Sequence, residues 1–306
     1  MTARQGHLFI VGGREDREDD MEVLKHYVEL CGGPDARVAV LTSASTMMDN
    51  VRCAYDAAFD QLGLRNRVWV PVGDRREASN PAYVTQLSES DGIYITGGDQ
   101  KRLLATIGGT PVEKALRHAL RERGACIGGT SAGASAMSEH MLAAGPSGLL
   151  PEKGAASLAA GLGFLRHVVI DQHFSERRRL GRLLSVVAQN PGLIGVGIDE
   201  DTALVISADH RLDVVGSGAV TIIDGRHIAS SFLGAAMHER LEMWNVTLHL
   251  LPAGCAVRLS PAGEGAAAGD PAAGDLAAGD PAGDTPVPDS VRDLLWTLTS
   301  IDDEDR

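Results

Sequence analysis

Short apolar runs recur through the first half of the chain, each separated by enough residues for a helix. Residues 7–11 (HLFIV), 38–42 (VAVLT), 68–72 (VWVPV), 93–96 (IYIT) and 125–127 (ACI) are short, rich in β-branched residues and bounded by turn formers. That pattern predicts buried strands. The segments between them carry helical spacing. The clearest starts at Thr110, with Pro111 next and Glu113 three on, a capping box with proline at the first helical position. Val112, Leu116, Ala119 and Leu120 then mark one apolar face. Strand and helix in alternation predict an α/β fold, a parallel sheet with helices on both faces.

The second half adds further strands. Residues 167–173, 193–198, 203–206 and 212–215 look extended, and 220–223 followed by Asp224-Gly225 is a hairpin signal. No boundary falls before about residue 258, so 1–260 reads as a single α/β domain. Residues 262–284 are built from AAGDP-like units, which bury too little apolar surface to offset the entropy of ordering. Residues 261–290 are therefore expected to be a flexible linker, and 291–306 a C-terminal tail. That tail holds Leu294, Leu295, Trp296 and Leu298. It reads either as a short docking helix or as a partner-binding segment.

Composition narrows the function. A chain of 306 residues can bury a core without disulfide or metal staples. Aromatic residues make up only 4%, which argues against a base-stacking surface. A formal net charge of −13 argues against phosphate-backbone binding, so no nucleic-acid partner is expected. Cys31, Cys53, Cys126 and Cys255 are far apart and form no C-x-x-C pair. Nothing demands an oxidising compartment. The first residues lack the apolar core of a signal peptide, and no run is long enough to span a bilayer. The expectation is a cytoplasmic protein with no membrane partner.

The chemistry concentrates in a few places. Residues 129–133 (GTSAG) fit G-x-S-x-G between an apolar strand and a small-residue helix start, the setting of a nucleophile elbow. Ser131 would sit exposed on a sharp turn, with Gly129 and Gly133 relieving crowding. The Ala132 amide would help hold an oxyanion. The plainer alternative is a tight turn with Ser131 as a helix cap. A serine hydroxyl needs a base, and His173, closing the apolar run 167–173, is the best candidate. Strand alternation places Asp171 and His173 on one face and turns Gln172 away. A metal reading of His167, Asp171 and His173 has no further ligand cluster behind it. The base needs an orienting carboxylate. Residues 198–201 (IDED) offer three acids, among which spacing alone does not choose Glu200.

Two more segments belong to this picture. In residues 96–100 (TGGDQ), Gly97 and Gly98 allow close backbone approach, and their amides could donate to an oxyanion. Gly12-Gly13 with Arg14, Glu15 and Asp16 is not G-x-G-x-x-G and reads as a strand-ending turn. The run Ser175-Glu176-Arg177-Arg178-Arg179 looks like the first turn of a helix continuing through Arg182. Cations there oppose the helix dipole. Rule-breaking of this kind suggests that one or more of these arginines bind substrate carboxylates beside His173.

Taken together, GGTSAGASAM, IDQHFSERRRLGRLL, GIDEDTAL and TGGDQ resemble cyanophycinase, a serine-peptidase family related to aspartyl dipeptidase. The resemblance runs from about Gly6 to Ser260. It implies a flavodoxin-like fold like that of class I glutamine amidotransferases, usually as a homodimer, with no cofactor and no metal. It implies cleavage of cyanophycin, a poly-aspartate carrying arginine on each β-carboxyl, to β-Asp-Arg dipeptides. It makes Ser131 the nucleophile, His173 the base and Glu200 the orienting acid. Gly98 and Ala132 become the oxyanion amides, and Gln100, Asp171, Gln172, Arg177, Arg179 and Arg182 the substrate pocket. Within that pocket, an acid such as Asp171 could receive a substrate guanidinium. Two alternatives remain open from the residues: a related peptidase for small aspartyl or isoaspartyl peptides, and a non-catalytic binding protein of the same fold.

Overall fold

In the computed structural model, which describes residues 6–207, 209–258 and 287–296, all five apolar runs of the first half form strands. They are β1 (Leu8–Val11), β2 (Val38–Leu41), β3 (Arg67–Val70), β4 (Gly92–Ile95) and β5 (Cys126–Thr130). They run parallel in the order β1-β5-β4-β2-β3. The connecting helices are α1 (Glu22–Leu30), α2 (Met48–Gln61), α3 (Pro81–Ser88), α4 (Gln100–Ile107) and α5 (Pro111–His118). Alternate residues of each strand feed opposite cores. Phe9, Val11, Val40 and Tyr94 pack with Tyr27 of α1 and Phe59 of α2. Leu8, Ile10, Leu41 and Ile95 pack with Leu87 of α3, Leu103 of α4 and Leu116 of α5. Helices therefore cover both faces, and the fold is flavodoxin-like.

The start of α5 departs from the expected box. Proline leads the helix, but the Thr110 hydroxyl turns back to donate to the Ile107 carbonyl at 2.5 Å. Glu113 instead accepts from the Gly109 amide at 2.6 Å and pairs with Arg117 at 2.9 Å. Its carboxylate still satisfies an amide at the helix start, one residue earlier than the motif requires.

After β5 the chain forms α6 (Ala132–Ser135), β6 (His140–Ala144), β7 (Ser157–Ala160), β8 (Val168–Gln172), α7 (Leu180–Gln189) and β9 (Ile194–Ile198). Then come β10 (Thr202–Ser207), β11 (Arg211–Gly216), β12 (Ala219–Asp224), β13 (Ala229–Ser230), β14 (Met243–Trp244), β15 (Thr247–Pro252), β16 (Ala256–Arg258) and α8 (Asp289–Trp296). β6 pairs with β7 and β13 with β14 as two-stranded ribbons, and the other second-half strands divide between two larger sheets. β10, β11 and β16 add antiparallel to β1, extending the parallel sheet to eight strands. β15-β12-β9-β8 form a separate sheet, in which only β8 and β9 are parallel. Asp224-Gly225 does not close a hairpin. Asp224 accepts from the Arg226 amide at 2.9 Å, which turns the chain away, and the strand antiparallel to β12 on that side is the distant β15.

Part of the C-terminal region docks. Val287, Val291 and Leu294 are buried in the core, and Ser290 lies 2.9 Å from His249 Nε2. Val287 and Ser290 lie inside the stretch expected as linker. The tract 262–284 and the tail beyond 296 lie outside the described residues. Among those described, no helix is long and apolar enough to cross a membrane.

Candidate active site

β5 ends at Thr130, and Ser131 takes φ 52° and ψ −106° before α6 begins. A non-glycine residue in such a conformation costs about 1–3 kcal/mol and persists only where its surroundings hold it. Here the Ser131 amide donates to the Val11 carbonyl at 3.0 Å. The flanking glycines have a steric reason. A β-carbon at Gly129 would lie 2.7 Å from Met137 Cε, and one at Gly133 would collide with the Ile95 carbonyl. The G-x-S-x-G run thus makes the sharp turn its spacing predicts.

His173 comes from the other sheet. It follows the last residue of β8, with φ 48°, and its amide donates to the Gly12 carbonyl at 2.8 Å. The open parallel sheet is therefore not what presents it. The left-handed turn also cancels the expected alternation. Gln172 and His173 both reach Ser131 Oγ, at 3.4 and 3.0 Å, while Asp171 faces away into an ion cluster. The imidazole Nε2 faces Ser131 Oγ, and Nδ1 lies 2.6 Å from Glu200 Oε1. With a carboxylate accepting from Nδ1–H, the neutral ring has a free Nε2 lone pair for the serine proton. Burial pulls the His173 imidazole below its usual value; the nearby Arg177 charge adds to this, and Glu200 opposes it.

The three acids after β9 are sorted by their partners. Asp199 accepts from the Ser175 amide at 3.0 Å and the Ala219 amide at 3.1 Å. Asp201 accepts from the Asp16 amide at 2.8 Å and the Ser217 hydroxyl at 3.0 Å. Only Glu200 turns to His173, and Arg14, 75% exposed, reaches its other oxygen at 3.4 Å.

The arginine run does not open a helix at Ser175. α7 begins at Leu180, and Arg178 has φ 52° in the turns before it. Asp171 is 1% exposed and takes the Arg182 guanidinium as a fork, with Nε at 2.7 Å from Oδ2 and Nη2 on Oδ1. Arg179 Nη1 lies 3.4 Å from the same carboxylate and also bonds the Gln172 carbonyl. Arg182 Nη1 donates to the Gly145 carbonyl at 2.9 Å. Burial pushes the Asp171 carboxyl up, with Arg182 and then Arg179 opposing, and burial pulls Arg179 down to about 10. A buried carboxylate needs such partners. Asp171 is thus occupied by Arg182 and Arg179 rather than open to a substrate guanidinium. Arg177 is exposed beside His173.

Gly97, Gly98 and Ala132 border the elbow. A β-carbon at Gly97 would lie 3.5 Å from Ser131 Cβ, which places the Gly97-Gly98 strand end against the serine. Gly98 has φ 147°, and a β-carbon there would collide with the Ala44 carbonyl. Ala132 is the buried first residue of α6. Gln100, first in α4, donates its side-chain amide to the Leu142 carbonyl at 3.0 Å. Cavities of about 450 and 290 Å³ flank the ion cluster, the first lined by Phe174, Arg178 and Arg179, the second by Glu152, Arg182 and Arg240.

Sequence reasoning missed the role of the Gly12-Gly13 turn. A β-carbon at Gly13 would lie 2.6 Å from His173 Nε2, so the imidazole rests directly on this backbone. The glycine pair was visible, but nothing local shows that a ring 160 residues away lies upon it.

The family model for peptidase family S51 matches residues 8–214. A cyanophycinase from Synechococcus elongatus is 39% identical over 254 residues, which cover 83% of this chain and 79% of that protein. One from Geminocystis herdmanii is 36% identical over 245 residues, covering 80% of this chain and 90% of that protein. The crystal structure of a peptidase from an acI-B1 Actinobacterium shares the fold, with a TM-score of 0.63 at 23% identity, covering 85% of this chain and 99% of that one. With its family match spanning most of the chain, and relatives aligned along most of their own length, this chain belongs to peptidase family S51.

Proposed function

We propose that the chain is a serine peptidase that hydrolyses cyanophycin to β-Asp-Arg dipeptides through an acyl-enzyme. The observation that carries the reading is the Ser131–His173–Glu200 relay, with links of 3.0 and 2.6 Å. The substrate comes from the relatives, which are cyanophycinases. In this mechanism Ser131 Oγ attacks the backbone carbonyl as its proton passes to His173 Nε2. Glu200 holds the ring and stabilises the imidazolium. The oxyanion is met by the Gly98 and Ala132 amides. His173 returns the proton to the leaving amine, and water then attacks the acyl-enzyme by the same route. Arg177 holds a substrate carboxylate, while Gln100 and Gln172 line the pocket. Asp171, Arg179 and Arg182 act behind Gln172, setting its backbone. A homodimer in the cytoplasm belongs to the same reading, and sedimentation tests the dimer.

Incubation with insoluble cyanophycin, followed by mass analysis of the supernatant, is expected to show β-Asp-Arg. Release confined to soluble aspartyl or isoaspartyl dipeptides would favour the related-peptidase reading, and binding without hydrolysis the non-catalytic one.

A pH profile tests the base. His173 must be neutral to accept the proton, and its folded value lies below 6.5. The acid limb of kcat/KM is therefore expected below pH 6.5, with a plateau through neutrality. Arg177→Gln removes a charge that disfavours the imidazolium, so the limb should move to higher pH while KM rises. An unmoved limb, with KM unchanged, removes Arg177 from the site.

A further inference from the structure

The turn after β1 touches every member of the relay. The Val11 carbonyl accepts from the Ser131 amide at 3.0 Å and the Gly12 carbonyl from the His173 amide at 2.8 Å. Gly13 lies under the imidazole, and Arg14 reaches Glu200. The residue that follows anchors this turn to the body of the sheet. Glu15 is 3% exposed and accepts from three hydroxyls. Thr130 Oγ1 donates to Oε2 at 2.6 Å, Tyr94 OH donates to Oε1 at 3.1 Å, and Tyr55 OH donates to Oε1 as well. These donors come from β5, β4 and α2. Thr130 immediately precedes Ser131. Burial, with Glu15 next in importance, pushes both phenols well above their usual value, so both stay O–H donors.

A carboxyl among packed aromatic rings is costly to bury unless donors meet it. Tyr55 and Tyr94, whose hydroxyls meet the carboxyl, pack on each other and on Phe59, a setting in which an apolar side chain would pack without any such requirement. What the carboxyl adds is a directional tie between two chain segments. One end is the turn that supports His173, and the other is the strand end that carries Ser131.

We propose that Glu15 is a positioning residue for the Ser131–His173 pair, locking the turn after β1 to the end of β5 so that hydroxyl and imidazole keep one register. The role rests on the serine-peptidase reading above. It needs no contact between Glu15 and substrate. Loss of the tie should act on the chemical step and leave substrate binding nearly untouched, since every contact it disturbs is between protein groups.

The test compares Thr130→Val, Thr130→Ser and Glu15→Gln, reading both steady-state hydrolysis of cyanophycin and the rate at which a fluorophosphonate labels Ser131. Valine has the size of threonine but no donor; serine keeps the donor. Thr130→Val is expected to lower kcat and the labelling rate about tenfold, equivalent to ~1.4 kcal/mol, with KM within twofold of the wild type. Thr130→Ser should restore both rates, and Glu15→Gln should resemble Thr130→Val. If Glu15→Gln fails to fold, the two Thr130 variants decide alone. A folded Thr130→Val chain with wild-type kcat and labelling rate overturns the proposal, as does a serine variant no better than valine. A wild-type chain that the reagent does not label at Ser131, and that turns over nothing, overturns the serine-peptidase reading and this role with it.

Discussion

Ser131→Ala is expected to lower kcat on the order of 10⁶-fold while leaving the fold intact. The substitution removes one oxygen, and that oxygen's partners are His173 Nε2 and Gln172 Oε1. The turn itself is held by backbone and packing: the Ser131 amide on Val11, and the close approaches at Gly129 and Gly133. Alanine tolerates the φ of 52° no worse than serine. Thermal unfolding should therefore stay near the wild-type midpoint. Adding His173→Ala should cost almost nothing more, because nucleophile and base act as one unit. Turnover is read by product mass and labelling by a fluorophosphonate. Undiminished hydrolysis by the single variant would falsify the nucleophile assignment.

Arg182→Met should have the largest effect on stability, about 3–5 kcal/mol. Its guanidinium forks onto Asp171, and both side chains are almost fully buried. Methionine fills much of the volume but removes the fork, leaving Arg179, at 3.4 Å, as the cation beside the carboxylate. The Gly145 carbonyl loses its donor as well. Urea unfolding measures the loss. The control is the double variant Asp171→Leu/Arg182→Met, which removes both charges. It should recover part of the stability, because the larger part of the single variant's cost is an uncompensated buried charge. Strict additivity of the two single variants would show that the pair is not coupled. Activity should fall in Arg182→Met as well, since Asp171 lies two residues before His173 on the same strand end.

The sequence by itself determined the parallel half of the fold. β1, β2 and β4 follow their apolar runs to within a residue at each end, because a strand covered on both faces has no room for polar positions, while β3 at the sheet edge starts on Arg67 and β5 runs on to Thr130. It also determined the elbow, since only glycine fits where a β-carbon would strike Met137 or the Ile95 carbonyl. The tertiary structure decided what local pattern does not encode. It put His173 at the end of a second sheet and, through that residue's left-handed backbone, brought the imidazole to the side of Gln172, so that both reach the serine while Asp171 faces away. It chose Glu200 from three adjacent acids by giving the other two backbone donors of their own. It consumed two of the arginines in neutralising a buried carboxylate. Each of these outcomes depends on which distant group reaches a side chain once the sheets are packed, and periodicity along the chain carries no record of that meeting.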